Sequence, residues 1–298
     1  MPTATLAELS AQNVLHARAR LGEGPLWDDT KQALYWVDIL NHRVHIFEPS
    51  SGDDCHWDVG DVGSALALMA GDRLLVALGN RLGQLDLSSG TVETLHTFDF
   101  EPPGTRFNDG KCDPQGRFWI GSMSPEHPGQ AALYRYDPDG SVHTMETGLT
   151  ISNGLGWSPD GSTFYLTDSP QRQIYAYRFD GATGEISDRT VAIDLSDADE
   201  AIEPDGLAID TDGNIWTALW DGGCVACFSP TGESLGRVTL PVPRPTCPSF
   251  GGPNHQTLYV TTASVGLSQQ EIQQGFYSGD LFAIAAPVPG LPTHRFGA

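Results

Sequence analysis

Apolar and polar positions alternate along most of this chain, and turn residues interrupt the alternation at regular intervals. The runs TKQALYWVD, AGDRLLVAL, PQGRFWIGS, PDGSTFYLTD, TDGNIWTAL and NHQTLYVTT each lead from a turn into an apolar stretch centred on an aromatic residue or a leucine. Superposing them brings Tyr35, Leu75, Trp119, Tyr165, Trp216 and Tyr259 into register, a repeat of about 40 to 50 residues. Each run is followed by a second alternating one that ends in a turn: VHIFEPSSG, LGQLDLSSG, LYRYDPDG, IYAYRFDGATGE, VACFSPTGE and LFAIAAPVPG. Period-two runs with this punctuation predict paired antiparallel strands. Six units, each with two clear strands and room for two less regular ones, predict an all-β fold, a six-bladed β-propeller.

A β-sandwich would not repeat at this length, and a doubly wound α/β fold would need helical periods between the strands. The 34 glycines and 21 prolines among 298 residues fit a chain made of many short strands. No linker composition appears, so the expected organisation is one domain over residues 14–298, preceded by a loosely attached arm over residues 1–13. The one stretch with helical character, GLSQQEIQQG over residues 266–275, reads as a short surface helix in the last blade.

Charge narrows the choice of partners. With 38 acidic against 16 basic residues the formal net charge is −22, which repels phosphate backbones and anionic lipid surfaces. Neither a nucleic acid nor a membrane is expected as partner, and the acidic surface suits a monomer or small homo-oligomer. The N-terminus shows no apolar segment after a basic one, and five scattered cysteines fit reduced thiols, so a cytoplasmic location is expected. Cys224 and Cys227 form a CxxC within an alternating run, without a second pair at zinc spacing, and read as packing residues.

Polar residues recur in one phase of the repeat. Glu23 in RLGEGPLW, Asn108 in RFNDGK, Asn153 in ISNGLGW and Asp205 in IEPDGLAID each lie about a dozen residues ahead of the aligned strand residue. Each is followed by Gly or Asp-Gly, where a missing Cβ lets backbones crowd near an axis. In a propeller such segments lead into the innermost strands, so these are spokes of one polar ring. Two readings follow: a solvated channel wall, or a site in which two carboxylates and an amide oxygen hold a hard divalent cation. Asp38 and Asp168, at strand ends, read as acceptors for neighbouring backbone groups, and Asp109 and Lys111 as an ion pair or a loop brace. The nine histidines show no metal-ligand spacing, and there is neither a GxSxG elbow nor a phosphate-binding glycine loop in a strand-to-helix setting.

The segments LGEGPLW, RFNDGKCDPQGRFWIGSM, ISNGLGWSPDG, YLTDS, PDGLAIDTDGNIWTALW and FGGPNHQTLYVTTA resemble, in order, those of the senescence marker protein, gluconolactonase and luciferin-regenerating enzyme family, also called regucalcin-like. The resemblance covers nearly the whole chain. It implies a central metal-binding channel with Glu23, Asn153 and Asp205 as ligands of one divalent ion, whether Ca²⁺, Mg²⁺, Mn²⁺, Zn²⁺ or Fe²⁺. It implies hydrolysis of a five- or six-carbon sugar lactone to the aldonic acid, with Asp205 as general base or a metal-bound water as nucleophile. Asn108 would touch substrate, Arg106 its hydroxyls, and Glu126 falls where some members carry a substrate-binding glutamate, in a loop shorter than that of the animal proteins. The other reading of Glu126 is an exposed loop carboxylate. Two alternatives stand beside the lactonase: an esterase or phosphotriesterase on the same scaffold, and a non-enzymatic calcium-binding propeller.

Overall fold

Six four-stranded antiparallel sheets make up the computed structural model, which describes residues 6–298. The inner strands of blades one to six are Gly22–Asp28, Gly63–Leu68, Arg106–Cys112, Ser152–Trp157, Glu203–Ile209 and Pro245–Gly251. Each packs against the inner strands of the preceding and following blades, and blade six returns to blade one, so the circuit is closed. The protein is a six-bladed β-propeller. The six aligned residues all fall in second strands, from Ala33–Asp38 in blade one to Thr257–Thr262 in blade six, and all are buried.

Burial explains why these runs form strands. Inner and second strands are covered on both faces and read as continuous apolar or small-residue runs, as in GSALAL and FWIGSM. Fourth strands such as Asp53–Asp58 alternate between exposed and half-buried and carry the charge. Six apolar clusters fill the wedges between neighbouring blades. The last of them joins Trp27, Leu34, Trp36 and Phe47 of blade one to Tyr259 and Leu281 of blade six. Cys224 and Cys227 are buried free thiols on strand Cys224–Phe228, and they pack into different clusters on opposite faces of blade five.

The chain is closed by its own beginning. Strand Ala11–Leu15 pairs with Leu281–Ala285 and completes blade six. The domain boundary expected at residue 14 therefore falls inside a strand, and Ala11, Gln12 and Asn13 are built into the propeller opposite Ile284, Ala283 and Phe282. Of the remaining arm, residues 1–5 lie outside the described residues. The period-two signal of AQNVL is too short to be read alone, and its partner lies at the far end of the sequence. Asp280 latches the closure: it accepts hydrogen bonds from Asn13 Nδ2 at 2.8 Å and from the Arg18 backbone N–H at 3.0 Å, and lies 2.9 Å from His16 Nδ1. The short helix is present at Gln269–Gln274, started by a reciprocal capping box between Ser268 and Glu271. Among the described residues no helix is long and apolar enough to cross a membrane.

Replacing Asp280 with alanine removes acceptors from the N-terminal strand without touching the channel. The expected cost is about 1–3 kcal/mol of folding stability, measured as a lower urea midpoint with an unchanged slope; an unaltered midpoint would show that the latch contributes nothing to closure.

Candidate active site

Every inner strand breaks register with its second strand at about the same height. The breaks fall at Glu23/Leu26, Gly63/Ala65, Phe107/Gly110, Ser152/Leu155, Pro204/Leu207 and Pro245/Pro248. A bulge interrupts pairing and turns side chains out of the regular alternation. Glu23, Asn108, Asn153 and Asp205 sit at or beside these bulges, and there they reach a common pocket of about 190 Å³. Blades one, three, four and five line it, with Arg106, Met123, Ile151, Ser169, Glu203 and Trp220 among its walls.

Glycine makes the approach possible. A Cβ on Gly154 would stand 2.4 Å from the Leu207 backbone nitrogen and 2.6 Å from the Asp205 carbonyl oxygen, and one on Gly206 would lie 2.3 Å from Cys247 Sγ. Blades four, five and six touch at the axis because these positions carry no side chain.

Glu23, Asn153 and Asp205 are 9%, 7% and 6% exposed and line the same pocket. Burial, then Asp205, then Asp109 push the Glu23 carboxyl well above its ordinary range; the Gly24 N–H, donated at 3.0 Å, and Arg106 oppose this. Asp205 is raised in the same way by burial and then by Asp109, with Asn153 opposing and Glu203 adding to the rise. Burial in turn lowers the Arg106 guanidinium, which Glu23 partly restores. Two buried carboxylates facing each other are a costly arrangement unless a cation sits between them. The amides are oriented to help: Asn153 Nδ2 is 3.1 Å from Ser169 Oγ, and Asn108 Nδ2 donates to the Ser152 carbonyl at 2.9 Å, which frees both amide oxygens. Among the described residues no three His, Cys, Asp or Glu side chains form a cage, so the available donor set is two carboxylates and an amide oxygen. That set suits a hard cation completed by water.

Arg106 lies on the rim, its Nη1 donating to the Phe107 carbonyl at 2.8 Å. Glu126 is exposed on the loop after Met123 and is not among the residues lining the pocket. Asp168 accepts from the backbone N–H groups of Thr150 and Ile151, and Asp38 from those of Arg20 and Leu21. Lys111 does not bond Asp109; its Nζ reaches across to the Leu207 carbonyl at 3.0 Å, bracing blade three on blade five. Sequence reasoning passed over Ser169, Glu203 and Trp220. Ser169 and Glu203 stand inside the quoted segments YLTDS and IEPDG, yet neither recurs in other blades, so the repeat carried no signal for them. A larger cavity of about 570 Å³ opens at the opposite ends of the inner strands, but its one carboxylate, Asp160, is engaged by Ser158 and Ser162 hydroxyls.

Residues 21–264 match the SMP-30/Gluconolactonase/LRE-like region. The chain belongs to this family. A pentonolactonase of Haloferax volcanii is 34% identical over 292 residues, covering 96% of this chain and 98% of the relative. A 6-deoxy-6-sulfogluconolactonase of Pseudomonas putida is 34% identical over 277 residues, covering 93% of this chain and 94% of the relative. The crystal structure of a calcium-binding protein, regucalcin, from Agrobacterium tumefaciens superposes with a TM-score of 0.93 at 28% identity, covering 99% of this chain and all of that one. The family resemblance read from the signature segments is thereby established, and with it the propeller.

The crowding at Gly154 gives a direct test of how the axis positions the site. Gly154→Ala is expected to cost about 1–3 kcal/mol and to displace Asp205, seen as a lower denaturation midpoint together with weakened binding of a divalent cation in calorimetry. A variant of wild-type stability and affinity would show that the strands have slack at the axis.

Proposed function

We propose that this protein is a hydrolase that opens a five- or six-carbon sugar lactone to its aldonic acid. The observation that carries the reading is the convergence, in one pocket, of two buried carboxylates and two oriented amides beneath a rim arginine. Relatives named for lactone hydrolysis support the class of reaction. They are named for different lactones, one of them carrying a sulfonate, so the family does not specify the substrate.

Glu23, Asp205 and the Asn153 amide oxygen would hold one divalent cation. When bound, it would supply Lewis-acid polarisation of the lactone carbonyl and offset the negative charge that develops on its oxygen. Ser169 holds Asn153 in the orientation this requires. Arg106 binds ring hydroxyls from the rim. Asn108, fixed by the Ser152 carbonyl, presents its amide oxygen to the lactone and sets the angle at which water approaches. As water attacks the carbonyl carbon, Asp205 takes its proton at a carboxylate oxygen and returns it to the ring oxygen as the ester bond breaks. Glu126, exposed and away from the pocket wall, takes no part in this reading.

The test is acid release from a panel of aldonolactones by protein stripped with a chelator and then resupplied with Ca²⁺, Mg²⁺, Mn²⁺, Zn²⁺ or Fe²⁺ in turn. Hydrolysis that needs a cation and favours one sugar is expected. No release above the spontaneous rate with any ion would overturn the reading and leave a cation-binding propeller in its place.

Variants divide the roles. Asp205→Ala is expected to lose both cation and turnover, and Glu23→Gln to bind the cation more weakly. Asn108→Ala should keep the cation and lose about 100-fold in kcat. Undiminished cation affinity in Asp205→Ala would remove that residue from the ligand set.

A further inference from the structure

The proposed mechanism assigns no task to Glu203 and Trp220, although both form part of the pocket wall. Glu203 opens the inner strand of blade five, two residues outward from Asp205, and Arg106 opens the inner strand of blade three, two residues outward from Asn108. The two therefore stand at the same height on the rim, with blade four between them. Glu203 is half-buried, and among the described residues its carboxylate has no hydrogen-bond or close ion-pair partner, with Arg172 acting on it only at longer range. The neighbouring acid on that rim, Asp221, is by contrast neutralised by Arg244, whose Nε and Nη2 donate to it at 2.6 and 3.2 Å. Glu203 pairs across the sheet with Trp220, so the two side chains share a face. The Arg244 guanidinium sits 4.8 Å from the centre of a Trp220 ring and holds the indole in place.

Charge balance gives this pair a meaning. A divalent cation on Glu23 and Asp205 would cancel both of their charges. The charged side chains then left on the pocket lining are Arg106 and Glu203, of opposite sign, while Asp109 is buried behind the ring and Arg172 acts on Glu203 from outside it. Without Glu203 the Arg106 guanidinium would be the one charge left on that lining, and the mouth would accept anions more readily. With it, a carboxylate at the mouth disfavours anions and accepts hydrogen bonds from hydroxyl groups, and an indole offers an apolar surface to C–H bonds. We infer that Glu203 and Trp220 form the subsite for the end of the substrate remote from the lactone carbonyl, and that it selects an uncharged polyhydroxylated chain over one ending in phosphate, sulfonate or carboxylate. This rests on the lactonase reading for the reaction but not for the selection itself, which is a property of binding.

Two measurements on wild type and Glu203→Gln test it, and the near-isosteric change leaves no partner stranded. The first compares kcat/KM for glucono-1,5-lactone and its 6-phosphate. The second compares equilibrium binding of D-glucitol and D-glucitol 6-phosphate to the Mn²⁺-loaded protein by calorimetry, alongside Mn²⁺ affinity itself. Wild type is expected to prefer the neutral compound in both, and Glu203→Gln to shift the preference about tenfold toward the phosphate with Mn²⁺ affinity retained. Trp220→Leu should raise KM for the neutral lactone while kcat holds. A wild type that hydrolyses lactones with a preference unmoved by Glu203→Gln overturns the inference. Absent hydrolysis with the tenfold shift in polyol binding intact sinks the lactonase reading and leaves the subsite standing.

Discussion

The constraint on which this molecule depends is the crowding of six inner strands around one axis. Each strand must lie against two neighbours as well as its own blade, and six apolar wedges hold the blades at the spacing that allows it. Near the axis there is no volume left for an unneeded atom, as the contacts facing Gly154 and Gly206 show. A close-packed interior transmits displacement instead of absorbing it. The position of Asp205 is therefore fixed by residues in blades four and six as much as by its own strand. The same rigidity keeps Glu23 and Asp205 facing each other although burial and mutual repulsion oppose their ionisation. A softer scaffold would let the carboxylates part and hydrate; this one keeps them together in one pocket.

Rigidity also comes from the turns. Asp113 and Asp210 open the turns between the inner and second strands of blades three and five, and each gathers backbone N–H groups and the indole N–H of the second-strand tryptophan. Trp119 and Trp216, the same tryptophans that mark the repeat, thus join the turn to the core. Blades three and five are also the ones that place Arg106, Asn108, Glu203 and Asp205. The Lys111 bridge to the Leu207 carbonyl ties their inner strands together directly.

Much of this was legible because a propeller writes its architecture as a period. The aromatic register located the second strands, and the phase of Glu23, Asn108, Asn153 and Asp205 relative to it located the ring without reference to geometry. What escaped was whatever does not repeat or is not local. The closing strand Ala11–Leu15 is five residues whose partner lies some 270 positions away. The bulges that turn the ring residues inward leave no trace in a binary pattern, since they alter pairing and not composition. Ser169, Glu203 and Trp220 each occur in a single blade, and a reading built on repetition is blind to singular residues. Specificity is where singular residues matter, so the reaction class could be read earlier than the substrate.

That asymmetry is itself informative. A six-fold ring offers six equivalent spokes, yet the pocket draws on blades one, three, four and five. At the blade-six spoke Thr246 turns its hydroxyl to the Gly22 carbonyl at 2.6 Å and sits 2.8 Å from Thr261 Oγ1, binding blade six to blade one. At the blade-two spoke stands Ser64, a buried residue with no charge. The donors stand in blades one, three, four and five, with blades one and four opposite each other across the axis, and Arg106 and Glu203 line the same pocket. A divalent cation held by Glu23, Asp205 and the Asn153 amide oxygen would have fewer protein ligands than a hard cation takes and would leave the rest to water or substrate, as a catalytic ion requires. The departure from symmetry follows from where the polar residues fall in the repeat.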